Sequence, residues 1–188
     1  YDVFVVFPDF GTNGQGETFY IDNAEVIAGG GGGGGNTAPQ LPLDFESSTV
    51  NYNWGIFGGV DPAEVIANPD MNGNTSANVT AITKTAGAQV WAGASLALDG
   101  GIDWSAGTTI QMDVWSPRSG IPVRIKLEDS SSPPDGNGNA SVFAELDATT
   151  TTANGWETLT WDMSSAGGFN SMNSYDVFVV FPDFGTNG

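Results

Sequence analysis

Only four cationic side chains occur in this 188-residue sequence, and three of them, Arg118, Arg124 and Lys126, fall within nine residues. Alternation along VRIKLE places Arg124, Lys126 and Glu128 on one strand face and Val123, Ile125 and Leu127 on the other. The preceding segment TIQMDVWS sends Ile110, Met112 and Val114 one way and Asp113 and Trp115 the other. An indole on a solvated sheet face forgoes the burial that normally favours it, so its position calls for a ligand or a cover. Sugar rings stack their C–H faces on indole, while charged side chains hold the hydroxyls through paired hydrogen bonds. The expected site is a glycan cleft formed by Trp115, Asp113, Arg118, Arg124, Lys126 and Glu128. A neutralised charge cluster with a loop over Trp115 is the competing expectation. Trp91, on the non-core set of VWAGASLALD, and Lys84, close to it in sequence, are further candidates. Trp54, Trp104, Trp156 and Trp161 are expected in the core or at its rim.

A second constellation is acidic. Asp44 and Glu46 share one face of LPLDFE, and Asp22 and Glu25 belong to YIDNAE. If the strands that carry them lie together, their hard oxygens suit Ca²⁺, which takes six to eight such ligands in flexible geometry. Solvated strand-edge carboxylates are the alternative. The acidic stretch around Asp135 lacks the closing Glu of an EF-type loop. Catalysis has little support. With no His and no Cys there is no imidazole base, no thiol nucleophile and no zinc site built on either. Glu128 and Glu145 are the carboxylate pair that adjacent strands could offer for glycoside hydrolysis, but the E-x-D-x-x-E pattern of jelly-roll glucanases is absent. The expectation is a protein that is not an enzyme.

The elements that must position these residues read as strands. Segments 41–46, 51–57, 78–85, 90–99, 108–116, 122–129, 141–150, 156–163, 175–184 and 18–26 are rich in Val, Ile, Thr and aromatics and are bounded by Gly, Pro, Asn or Asp. MNGN, LDGG, DGNGN and ANGW are turn signals between them, and no helical period is sustained over ten residues. About ten strands in one unit predict an all-β, two-sheet β-sandwich with jelly-roll topology. VFVVF is apolar on both faces and predicts a covered, central strand.

The sequence YDVFVVFPDFGTNG fills positions 1–14 and recurs unchanged at 175–188, an offset of 174 residues. The expectation is a window from a tandem array, and the lack of an initiator Met agrees with it. Residues 1–28 then close one module, 29–40 form a Gly-rich linker, and 41–188 begin the next module without its own last strand. A designed circular permutation with an overlap is the alternative. Either way the duplicated strand competes with itself for one position. Seven consecutive glycines at 29–35 act as a flexible coil of roughly 15 Å root-mean-square span, and no GK[ST] follows them as a phosphate loop requires. A net charge of −18 argues against nucleic acid or anionic membrane as partners, and no run of 18 apolar residues predicts membrane insertion. The absence of Cys excludes disulfides.

LPLDFE, NPDMNGNTSANV with ITKT after it, WSPRSGIPVRIKLED, ATTTTANGWETLTWDM and TFYIDNAEV together resemble a family of bacterial jelly-roll modules of the calcium-containing, carbohydrate-binding type. Such modules occur in secreted polysaccharide-degrading enzymes and in tandem-repeat surface proteins. The likeness covers nearly the whole 174-residue unit. It implies a secreted or cell-surface location and a structural Ca²⁺ near the terminal strands, which would fall to Glu46 and Asp22, with Asp44 as a further candidate. It also implies a non-catalytic repeat whose partners are a polysaccharide and neighbouring repeats of the same protein. A structural or adhesive repeat of an extracellular fibre, assembled by strand complementation, is the alternative.

Overall fold

Strands that alternate apolar and polar residues can bury their apolar faces only against a second layer. The computed structural model, which describes residues 16–27 and 39–188, does this with two five-stranded sheets. The first copy of the repeated sequence and the glycine run lie outside the described residues. The strands are β1 (Glu17–Ile27), β2 (Gly55–Phe57), β3 (Val60–Ala67), β4 (Asn78–Lys84), β5 (Gly93–Ala97), β6 (Thr109–Ser116), β7 (Pro122–Glu128), β8 (Phe143–Thr149), β9 (Gly155–Asp162) and β10 (Val177–Phe181). One sheet has the order β3-β4-β1-β6-β9 and the other β2-β5-β10-β7-β8, with every pairing antiparallel. The β-sandwich expected from the sequence is the fold. No helix among the described residues is long and apolar enough to cross a membrane.

The alternation read from β6 and β7 is the burial observed. Ile110, Met112 and Val114 from one sheet meet Val123, Ile125 and Leu127 from the other, all buried, around Trp161 and Tyr175. VFVVF forms β10, the middle strand of its sheet, with Phe178 and Val180 fully buried. β1 is the middle strand of the other sheet, between β4 and β6. A bulge in it between Asp22 and Glu25 puts Asn23 in the left-handed region at φ 48°.

Two segments differ from expectation. LPLDFE contributes only a single bridge, Leu43 to Ala24, because Phe45 turns to φ 54° and takes the chain out of the sheet. β3 was not expected, because Pro62 interrupts its pattern. It is an edge strand with an irregularity between Val60 and Ala63, where a missing backbone donor is tolerated.

Candidate functional site

The single cleft expected from Trp115, Asp113, Arg124, Lys126 and Glu128 is not assembled. β6 and β7 are consecutive in sequence but belong to different sheets, so their polar faces look outward from opposite sides of the sandwich. Alternation sorts the faces of each strand correctly but carries no information about which strands pair.

On the β3-β4-β1-β6-β9 side, Trp115 lies opposite Tyr20 on β1 and opposite Trp156 on β9, giving three aromatic side chains in one row across three strands. The ring of Tyr20 is 5.2 Å from that of Trp115 and 6.4 Å from that of Trp156. All three are half-buried. The 68–77 loop fixes both indoles at their Nε1 edges: Trp115 Nε1 donates to Asp70 Oδ2 at 3.1 Å, and Trp156 Nε1 donates to the Asp70 carbonyl at 2.7 Å. The loop is stiffened by Asn68, whose amide donates to the carbonyls of Asn74 and Ser76. Beside the aromatic row runs a polar one, Asp22, Asp113 and Thr158, with Thr158 donating to Asp113 at 2.6 Å and Asn23 donating to both carboxylates. Gln111 and Glu25 continue it through a side-chain hydrogen bond. Tyr20 and Trp156 are members of this surface that sequence reasoning missed. Period 2 through FYID and WETLTW would have put them beside Asp22 and Thr158; Asp70 gives no such signal.

On the opposite side the cations are engaged. Arg124 binds Asp147 through two bonds of 2.6 and 3.0 Å and Glu145 at 2.9 Å, with its guanidinium 3.7 Å from the centre of the Phe184 ring. Its bonds to Asp147, more than any other influence, raise its pKa further. Lys126 pairs with Glu128 at 2.6 Å and lies 4.5 Å over the Phe143 ring. Glu128 and Glu145, the candidate acid pair, are therefore both neutralised by cations. Trp91 is 49% exposed on this side, stacked on Phe57 at 6.3 Å and 17°.

Arg118 and Lys84 belong to neither face. Arg118 donates twice to Glu17, both at 2.6 Å, and to Asp183 at 3.0 Å; the Glu17 bonds chiefly raise its pKa. Lys84 is 1% exposed and donates to the carbonyls of Asp183 at 2.7 Å and Pro182 at 3.3 Å. Burial lowers its pKa to about 8, against the pull of Asp183.

The three acidic candidates are apart in their bonding. Asp44 turns back on the Glu46 N–H at 3.2 Å, and Glu46 clamps Asn78 through its N–H at 3.0 Å and its amide at 2.9 Å. Asp22 is fully buried and accepts from Asn74 at 2.8 Å, while its Oδ1 has no partner of good hydrogen-bonding geometry. Burial raises its pKa, with Ser76, Asn74 and Asn23 acting against it. Among the described residues no three acidic side chains are gathered as metal ligands.

A cavity of about 420 Å³ opens beside β3, lined by Ser47, Tyr52, Asn53, Trp54 and Glu64 among others. Burial raises the pKa of the Tyr52 hydroxyl. Compared with known proteins, the chain matches no family model and no curated sequence.

Proposed function

We propose that this chain is a non-catalytic polysaccharide-binding module whose contact surface is the outer face of the β3-β4-β1-β6-β9 sheet. The observation that carries the reading is the row Tyr20, Trp115 and Trp156 flanked by carboxylate, amide and hydroxyl groups. The half-buried indoles of Trp115 and Trp156, fixed by Asp70, offer stacking area beside Tyr20 at small entropic cost, and Asn23, Asp113 and Thr158, bonded to one another, form a polar strip alongside. Arg118, Arg124, Lys126, Glu128 and Lys84 are then positioning and structural groups, because each is already paired within the sandwich. The absence of His and Cys from the sequence and the neutralised Glu128 and Glu145 favour binding over catalysis. Affinity electrophoresis through soluble β-glucans, xylan, alginate and agar-type polymers tests the reading. Retardation by one polymer that Trp115→Ala abolishes supports it; free migration through every polymer opposes it.

A structural Ca²⁺ is part of the proposal. The buried Asp22 carboxylate, whose Oδ1 has no hydrogen bond of good geometry and which lies close to Asp113, would gain charge compensation from a hard cation at the β1 bulge. Asp44 and Glu46 fit less well, since their oxygens serve the backbone of Glu46 and Asn78. We infer a secreted location as well, from the resemblance of the sequence to secreted jelly-roll modules.

The second reading is a structural repeat of an extracellular fibre. It is favoured by one observation: β1, the middle strand of its sheet, comes from the segment that precedes the glycine run.

A further inference from the structure

On the outer face of the β3-β4-β1-β6-β9 sheet the register sets Glu64 opposite Ala81, Ala81 opposite Tyr20, Tyr20 opposite Trp115 and Trp115 opposite Trp156. One row therefore crosses all five strands and ends in a carboxylate. Asp113 lies two residues before Trp115 on β6, about 7 Å along the strand. Glu25 is opposite Gln111, two residues further back, and Asp70 stands at the indole edges. Four carboxylates thus surround the aromatic surface, besides the buried Asp22. The sequence has only four Lys and Arg to set against them, and all four are committed elsewhere. Arg118 is bonded to Glu17 and Asp183, Arg124 to Asp147 and Glu145, Lys126 to Glu128, and Lys84 to two backbone carbonyls. Among the described residues no ion pair reaches Glu25, Glu64, Asp70 or Asp113. A divalent ion at Asp22 would balance Asp22 and Asp113 and leave the other three. The other sheet differs, because there Arg124 and Lys126 offset most of the charge of Glu128, Glu145 and Asp147.

A carboxylate accepts hydrogen bonds and donates none. A sugar hydroxyl can donate to it. A uronate or sulfate group is itself only an acceptor and needs a charged donor, which this face lacks. The neutral donors Asn23, Gln111 and Thr158 are each already bonded to a carboxylate. Repulsion acts in the same direction, since about 7 Å is inside the Debye length of about 8 Å at 0.15 M salt. We propose that the ligand of this face is a polysaccharide without anionic groups, and that Asp70, Asp113, Glu25 and Glu64 exclude uronate- and sulfate-bearing polymers, a conclusion that rests on the contact surface proposed above.

Affinity electrophoresis at 0.15 M salt through the hydroxyethyl and carboxymethyl derivatives of one β-glucan, with arabinoxylan and alginate beside them, separates charge from backbone. Retardation is expected in an uncharged polymer, with affinity for the anionic polymers weaker by about tenfold or more. Asp113→Asn with Glu25→Gln should narrow that gap. Asp129→Asn with Asp135→Asn, an equal loss of charge in the loop between β7 and β8 of the other sheet, should leave it unchanged. An anionic polymer bound as tightly as an uncharged one, with Trp115→Ala abolishing the retardation, overturns the exclusion and leaves the contact surface standing. A gap narrowed equally by both double variants also overturns it, since net charge would then set the preference. Free migration of the parent through every polymer overturns both the exclusion and the surface.

Discussion

Replacing Lys84 by Met removes an ammonium group that the fold buries at the seam between β10 and β1. The amine is 1% exposed, and desolvation lowers its pKa from 10.5 to about 8. A basic group whose folded pKa lies below its unfolded one opposes folding while both states are charged. Between about pH 8 and 10.5 the unfolded chain binds more protons than the folded one, so stability rises with pH across that window. The gap between 10.5 and about 8 corresponds to about 3 kcal/mol of opposition at pH 7, of which about 2 kcal/mol is recovered by pH 9.5. The net charge of −18 adds its own pH dependence, but the Met variant shares nearly all of it. The quantity to measure is the stability of the parent minus that of Lys84→Met, by urea unfolding followed through tryptophan fluorescence from pH 7 to 9.5. The difference should rise by about 2 kcal/mol in favour of the parent. A flat difference would show that the amine is not held charged in a desolvated place. A falling one would show that Asp183 and Glu17 outweigh burial, and either result would remove desolvation as the dominant influence on Lys84.

Gly93→Ala should destabilise the sandwich by about 2 kcal/mol in urea unfolding, because its Cβ would lie 2.7 Å from the Val180 carbonyl oxygen and 2.9 Å from the rings of Phe57 and Phe181. Gly100→Ala, with nothing within 4 Å but φ 86°, should lose only about 1 kcal/mol. For calcium, the melting temperature in excess Ca²⁺ should exceed that in chelator for the parent, and Asp22→Asn should abolish the difference. Equal melting temperatures for the parent in the two conditions would remove the ion from the account.

Much of the fold was legible because burial faces follow from alternation. Val123, Ile125 and Leu127 announce an inward face, and VFVVF, apolar on both sides, announces a strand covered on both. What alternation lacks is the identity of the neighbour. Trp115 lies only seven residues before Pro122, yet the chain crosses between sheets there, and the predicted cleft divides in two. Arg118 carried no local sign of its role, since Glu17 and Asp183 are brought together only by the meeting of β1 with the turn after β10. Pro62 hid β3 because a proline argues against a strand until the strand is known to lie at an edge. At the candidate site, Trp115 and Asp113 were readable as outward-facing residues. Their companions Tyr20 and Trp156 were readable in type but not in adjacency, and Asp70 reaches the indoles only through the path of the 68–77 loop.

The Tyr20, Trp115 and Trp156 row is the proposed polysaccharide contact surface. Affinity electrophoresis of the parent, Trp115→Ala, Trp156→Ala and Trp54→Ala against the polymer panel tests it most directly, with Trp54 reporting on the cavity beside β3. The expected result is retardation of the parent by one polymer class, loss of that retardation in Trp115→Ala and Trp156→Ala with folding intact, and retention in Trp54→Ala. Retardation that survives both substitutions in the row, or that vanishes only with Trp54→Ala, would contradict it.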